Sequence, residues 1–206
     1  MDSVENLFSH KSISIYKASD TSATEENFKV LDGKSPEVLH IATHGFFLSE
    51  QPAKEIDKNA GGIAFRTQPN AMFRNGLVLS GGNDTWKNGR VAPGKEDGIL
   101  TAYEIAQMDL SNTNLVVLSA CKTALGDLQG DEGVLGLQRA FKMAGVRQII
   151  MSLWQVPDQE TVELMTLFYK NLLTGLPTAQ SLRLAQQKIK EKYPSPYYWA
   201  GFVLVE

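Results

Sequence analysis

Residues 115–121 read Leu-Val-Val-Leu-Ser-Ala-Cys, and this stretch decides the class of fold that the chain can form. Its first four residues are apolar without interruption, which predicts a short strand buried on both faces. Cys121, the single cysteine of the sequence, follows shortly after that strand. Residues 38–44, Val-Leu-His-Ile-Ala-Thr-His, repeat the arrangement with His44. The sequence therefore predicts a thiol and an imidazole just beyond two strands.

Strands alternate with helices along the rest of the chain. A half-buried strand is predicted at residues 12–16, where polar and apolar residues alternate. Two more strands are predicted at residues 146–153 and 202–205. Helical spacing of apolar residues predicts helices at residues 27–31, 101–108, 134–144, 164–173 and 179–192. Strands separated by helices form β-α-β units, so we predict an α/β fold with a mainly parallel sheet and helices on both faces.

Local signals refine this prediction. The sequences Ser-Ala-Thr-Glu at residues 22–25 and Thr-Ala-Tyr-Glu at residues 101–104 match the capping box that begins many helices. Two polar, glycine-containing stretches, residues 49–75 and 81–98, interrupt the alternation. We interpret them as long loops that can close over an active site, with hairpins as the alternative.

Composition excludes several classes of protein. A length of 206 residues favours a single domain, and 43% hydrophobic with 21% charged residues is ordinary for a globular chain. The formal net charge of −3 argues against nucleic acid as a partner. We predict no membrane span, since no apolar run approaches 18 residues, and no signal peptide, since the N-terminus lacks a basic region followed by an apolar one. A single cysteine fits a reducing, cytoplasmic setting.

Cys121 and His44 are the candidate catalytic pair. Ligands bind outside the carboxyl ends of the strands in an open parallel sheet, so the two side chains share an edge if their strands are neighbours. An imidazole beside a thiol activates it as a nucleophile. The alternatives are a buried cysteine that acts as a small hydrophobic residue and a histidine with a structural hydrogen bond.

Longer phrases carry a family resemblance. The matching stretches are LHIATHGFF (39–47), GLVLSGGN (76–83), 97–127, 130–158 and YYWAGFVLVE (197–206), with SATEENFKVL (22–31) as a further match. Together they cover most of the chain, which resembles the CHAT domain, a bacterial family similar to caspases and separases. The resemblance implies a single caspase-like domain over residues 1–206, a three-layer sandwich. It also implies that the N-terminal part of the full family domain is absent.

The resemblance implies a role for each site residue. His44 and Cys121 form a catalytic dyad, and the N–H groups of Gly45 and Cys121 form the oxyanion hole. The implied reaction is hydrolysis of a protein or peptide substrate by a cysteine endopeptidase that a partner, such as a helical-repeat sensor, controls. The alternative is a non-catalytic CHAT-type scaffold that binds proteins. A different thiol hydrolase lacks support, because no nucleophile-elbow pattern surrounds Cys121.

Other polar residues are weaker candidates. Asp158 resembles the separase aspartate that lines the primary specificity pocket, with Trp154 and Ser119 as further pocket candidates. Asp158 at a helix start is equally an N-cap. The acidic side chains of Asp127, Asp131 and Glu132 fit the start of the following helix better than a specificity loop.

No metal or other cofactor is expected. His40 and His44 would lie about 13 Å apart on one continuous strand, which is too far for a single zinc ion. The sequence offers no other cysteine or histidine close to them along the chain.

Overall fold

In the computed structural model, the apolar stretch at residues 115–118 is an inner strand of a parallel sheet. The structure describes residues 2–9, 11–48, 65, 68–89, 91, 93–119 and 132–206. The chain forms two compact units, one of residues 18–154 with 205–206 and the other of residues 1–17 with 155–204.

The described residues form these elements. The strands are β1 Val38–Ile41, β2 His44–Phe47, β3 Asn75–Val78, β4 Ile99–Thr101, β5 Leu115–Leu118, β6 Gln148–Ser152 and β7 Phe202–Val205. The helices are α1 Asp2–Ser9, α2 Glu25–Lys29, α3 Gly82–Asn88, α4 Ala102–Gln107, α5 Glu132–Met143, α6 Asp158–Leu172 and α7 Thr178–Lys192. Short 3₁₀ turns lie at Asp20–Ser22, Ala71–Phe73 and Pro196–Tyr198.

The parallel sheet of the first unit contains β1, β5 and β6 in that order. Val116 and Val117 of β5 are fully buried, because strands on both sides and packed faces leave no solvent-facing position. The predicted α/β class with a mainly parallel central sheet is confirmed. The predicted strands at residues 38–43, 115–119 and 146–153 are also present, each trimmed at its ends.

A second sheet in the same unit is antiparallel, in the order β2-β3-β4. The sequence patterns did not predict these strands, since three or four residues are too few to establish a period of two. β3 begins at Asn75 and β4 at Ile99, directly after these two stretches, and the choice between loops and hairpins for residues 49–75 and 81–98 stays a prediction. Residues 81–98 are not a plain loop, because α3 occupies Gly82–Asn88. Residues 49–64 lie outside the described part of the chain.

Helices α4 and α5 pack against each other in this unit. Ile105 of α4 and Phe141 of α5 are fully buried, and the N–H of Leu110 donates to the carbonyl of Ala144 at 2.7 Å. Gly145 has a φ of 95°, a conformation that favours glycine and ends the helical region at the predicted position.

The other unit is built on α6 and α7, with α1 packed on α6. The rings of Phe8 and Tyr169 meet edge to face at 5.2 Å between centroids. Buried Leu164 and Phe168 lie on α6 and buried Leu182 lies on α7, as helical spacing predicts. None of the helices in the described residues has the length and apolarity needed to cross a membrane.

Two local predictions were wrong. Residues 12–16 are exposed and form no strand, and Tyr16 is 74% exposed. An alternating segment becomes a strand only when another strand pairs with it, and no strand within the described residues does so. The capping box at residues 22–25 is also absent, because Thr24 caps α2 by accepting from the N–H of Asn27. The second capping box, at residues 101–104, is confirmed.

Candidate functional site

The carboxyl ends of β1 and β5 form the edge on which the candidate site depends. Ile41 is opposite Leu118 in the parallel register. Directly after β5, the N–H of Ser119 donates to the carbonyl of Ile41 at 2.9 Å. The strands that precede His44 and Cys121 are therefore parallel neighbours that end together, as the dyad hypothesis requires.

His44 does not lie in a loop after β1, because it is the first residue of β2. Ala42 and Thr43 alone connect the two strands, and His44 is opposite Val78 in the antiparallel register. The hydroxyl of Thr43 donates to the carbonyl of Val78 at 2.5 Å. This hydrogen bond fixes the start of β2 on β3 while the imidazole of His44 stays exposed to solvent.

An aromatic cluster anchors the rest of β2. Phe46 is 8% exposed and packs with Leu48 and Ile99. Its ring lies 5.0 Å from the ring of Trp86 and 6.0 Å from that of Phe65. Gly45, which is opposite Leu77, therefore lies between an exposed histidine and a firmly packed phenylalanine. Of the two N–H groups predicted to form an oxyanion hole, that of Gly45 lies within the described residues.

β3, the middle strand of the antiparallel sheet, approaches β2 and β4 too closely at Gly76 for a side chain to fit there. A Cβ atom on Gly76 would lie 2.3 Å from the carbonyl oxygen of Leu100 and 2.9 Å from a ring carbon of Phe46. Atoms at such distances overlap, so only glycine fits between β2 and β4. Gly76 thereby sets the spacing of the sheet that carries His44.

The other predicted site residues have different surroundings. Ser119 and Trp154 are partly buried and follow β5 and β6, respectively. Asp158 is exposed and is the first residue of α6, with Pro157 at the N-cap position. Asp158 is therefore not the N-cap residue of this helix.

Several predicted residues cannot be compared with the structure. Cys121, Asp127 and Asp131 lie outside the described residues, as does the side chain of Glu132. The roles that the sequence assigns to them stay predictions.

His40 is distinct from His44 in both position and environment. It lies within β1, opposite Val117, rather than on the strand that begins with His44. Burial lowers the pKa of His40 to about 4, so its imidazole is neutral at physiological pH. In the described part of the chain, no three histidine, cysteine, aspartate or glutamate side chains are arranged to hold a metal ion.

The sequence patterns do not predict a charge network around the buried carboxylate of Glu25. Glu25, 1% exposed, accepts from the ammonium of Lys29 at 2.7 Å and from the N–H of Gly98 at 2.9 Å. Lys29 also contacts the carboxylates of Glu104 at 3.0 Å and Glu96 at 3.2 Å. The spacing of four between Glu25 and Lys29 is a signal for a helical ion pair. Nothing local in the sequence predicts that Glu25 is buried.

Comparison with known proteins decides the family. The model of the CHAT domain matches residues 2–206. The chain belongs to the CHAT domain family. CHAT domains are caspase-like and related to peptidases, which agrees with the parallel sheet and with the predicted resemblance.

Two curated relatives carry a similar stretch. The chain is 36% identical to Tetratricopeptide repeat protein 28 of Mus musculus over 109 residues, which are 52% of this chain and 4% of the relative. It is 32% identical to Tetratricopeptide repeat protein 28 of Homo sapiens over 115 residues, which are 55% of this chain and 5% of the relative. The CHAT domain described here thus matches a small part of much longer repeat proteins.

Proposed function

We propose that this CHAT domain is a cysteine endopeptidase in which Cys121 is the nucleophile and His44 its proton acceptor. The shared edge of β1 and β5 supports this proposal best. Ile41 and Leu118 are register partners, His44 is three positions after the first, and Cys121 is three positions after the second. Three residues span at most about 11 Å, so chain length keeps both side chains close to that edge.

The proposed reaction proceeds through an acyl-enzyme. The sulfur of Cys121 forms a bond to the scissile carbonyl carbon, and its proton passes to His44 and then to the leaving amine as the carbon–nitrogen bond breaks. Water then adds to the carbonyl carbon with help from His44, and the carbon–sulfur bond breaks to restore the thiol. The N–H groups of Gly45 and Cys121 are the proposed donors to the oxyanion.

Substrate recognition is proposed to involve Asp158. Its carboxylate is exposed at the start of α6, so it is available to pair with a basic residue before the scissile bond. Trp154 and Ser119 remain proposed pocket residues on the basis of the family resemblance. We propose no metal or other cofactor for this chemistry.

A helical-repeat segment is the proposed regulatory partner. The two curated relatives are named tetratricopeptide repeat proteins, and such repeats stack helix pairs into extended binding surfaces. The same relatives favour the second candidate function, a non-catalytic protein-binding CHAT domain within a repeat protein.

Covalent labelling separates the two candidate functions. We expect a peptide bearing a carbonyl-directed electrophile, such as an acyloxymethyl ketone, to modify Cys121 in the wild-type chain. His44→Ala should slow this labelling at least about 100-fold, because a general base contributes roughly 10²–10⁴ to such steps. Peptide mass spectrometry locates and times the modification.

A simple alkylating agent is the control for that experiment. Iodoacetamide at high pH should modify the thiol of wild type and His44→Ala at similar rates, because the thiolate then forms without a base. Equal labelling of the two proteins by the peptide electrophile would argue for the non-catalytic function.

Thr43 is expected to position His44. Thr43→Val removes the hydroxyl and leaves the carbonyl of Val78 without that donor, at a cost of about 1–2 kcal/mol. We expect labelling of Cys121 by the peptide electrophile to slow about tenfold. Thr43→Ser keeps the hydroxyl and should label within about twofold of wild type. Equal rates for the valine and serine variants would exclude this positioning role.

A further inference from the structure

Glu25 links helix α2 to the segment that leads into β4. One carboxylate oxygen accepts from Lys29, and the other accepts from the N–H of Gly98, which is 73 positions away in the sequence. The side chain of Glu25 is 1% exposed and that of Lys29 is 31% exposed, so the carboxylate is the buried partner of this contact. We call Glu25 with these two partners the Glu25 latch.

The charges around Glu25 do not balance. Lys29 is shared with Glu104 from α4 and with Glu96 from the 93–98 segment. Asp97 is a further acidic neighbour. Burial raises the pKa of Glu25 to about 7, although the hydrogen bond from Lys29 acts in the opposite direction. Burying the ionised form therefore costs free energy that burying the neutral form does not.

Lys29 is firmly charged in this cluster. Burial by itself would lower the pKa of Lys29, but hydrogen bonds to Glu25, Glu104 and Glu96 raise that pKa above its ordinary value. The titrating member of the pair near neutral pH is therefore the carboxyl of Glu25. A neutral carboxyl still offers its carbonyl oxygen to the N–H of Gly98.

The 93–98 segment packs on Gly82 at one end and also borders a cleft. Gly98, with a φ of 74°, packs so closely on Gly82 that an added Cβ would lie 2.3 Å from its nitrogen. On the other side, Glu96 and Asp97 border a cleft of about 470 Å³ that Thr24 also lines. The cleft gives the segment space into which to move when the contact with Glu25 breaks together with the hydrogen bond from the hydroxyl of Thr85 to the carbonyl of Asp97.

We propose that the Glu25 latch is a pH-responsive device that controls opening of the 93–98 segment. In the closed state the carboxyl is buried, and in the open state water solvates it. Proton binding favours the closed state, so the latch tightens as pH falls and loosens as pH rises. Below the ordinary carboxyl pKa of 4.5 both states are protonated and the stabilisation is complete. It is lost as pH rises to about 7.

The latch connects to the sheet that carries His44. The 93–98 segment continues into β4, which pairs with β3, and β3 pairs with β2. The carbonyl of Gly98 also accepts from the N–H of Leu79, directly after β3. Opening of the segment therefore breaks the hydrogen bond between Leu79 and Gly98 next to this sheet, whatever reaction the domain performs.

Hydrogen exchange at the N–H of Gly98 tests the proposal. Exchange is measured by NMR on the intact chain between pH 5 and 9 and corrected for intrinsic exchange rates. In wild type, the equilibrium constant for opening should rise at least tenfold between pH 5 and 8. The limit is roughly 300-fold, set by a shift of about 2.5 pH units. Glu25→Gln cannot ionise, so its opening constant should not change with pH.

Glu26→Gln is the matched control. Glu26 is the next residue of α2 and contacts the same segment, since its carboxylate accepts from the N–H of Glu96 at 2.9 Å. This variant should keep the wild-type dependence on pH. The proposal would be overturned if the opening constant of wild type did not change with pH. It would also be overturned if the opening constant of Glu25→Gln rose with pH as it does in wild type.

A second variant applies if Glu25→Gln fails to fold. Lys29→Met removes the cation from the cluster, so the opening constant should keep rising above pH 8, where the wild-type constant levels off. If the opening constants of Lys29→Met and wild type stopped rising at the same pH, the proposal would also be overturned.

Discussion

Replacement of Cys121 with alanine should abolish peptide-bond cleavage, with kcat/KM falling at least about 1000-fold. The methyl group cannot attack a carbonyl carbon, and no other cysteine exists in the sequence to replace the thiol. The measurement is cleavage of a proteome-derived peptide library, with new N-termini counted by mass spectrometry. If Asp158 recognises the residue before the cut, the wild-type cleavage sites should follow lysine or arginine.

Ser111→Ala is the matched control for this experiment. Ser111 is exposed and lies before β5, at the end of that strand away from the candidate site. This variant should retain cleavage within about tenfold of wild type. The same cleavage sites in the Cys121→Ala sample would reject the dyad. No cleavage by wild type, even with a tetratricopeptide repeat segment added, would support the scaffold function.

Gly76→Ala should destabilise the domain by about 3 kcal/mol, the upper range for overpacking. The new Cβ would meet the carbonyl oxygen of Leu100 at 2.3 Å and the Cα of Thr101 at 2.8 Å. Both are backbone atoms, so the strands themselves must move apart. Thermal unfolding followed by circular dichroism should show a midpoint lowered by roughly 6–12 °C.

Gly33→Ala is the control for the effect of an added methyl group. Gly33 has a φ of 69° with no atom within 4 Å of the new Cβ, so the expected cost is about 1 kcal/mol of backbone strain. Because Gly76 spaces β2 from β4, its alanine variant should also slow labelling of Cys121. Equal unfolding midpoints for the two variants would contradict the close approach at Gly76.

Local patterns predicted an element correctly where the apolar spacing within that one element was enough to identify it. The apolar run of β5 and the helical spacing in α5 and α7 predicted those elements to within two residues, whereas α6 begins at Asp158, before the predicted residue 164. Thr101 and Glu104 formed the expected capping box. A mainly parallel sheet was also expected from strands that alternate with helical segments, but only the structure shows that β1 and β5 are neighbours.

Patterns failed where another part of the chain decides the outcome. Residues 12–16 alternate correctly for a strand, yet no strand in the described residues pairs with them. β3 and β4 are too short to show a period. The sequence predicts Glu25 in a capping box, whereas its carboxylate accepts a hydrogen bond from the N–H of Gly98, which belongs to a distant segment. Each error concerns a contact between residues that are far apart in sequence.

The sequence alone determined the α/β class, which depends on patterns within single elements, and it supplied the candidate dyad and, through longer matching phrases, the resemblance to the family. The tertiary structure decided that His44 begins a strand of a separate antiparallel sheet, and that Glu25 is buried beside Lys29. Strand pairing and burial depend on which distant segments meet, and a local pattern does not contain that information.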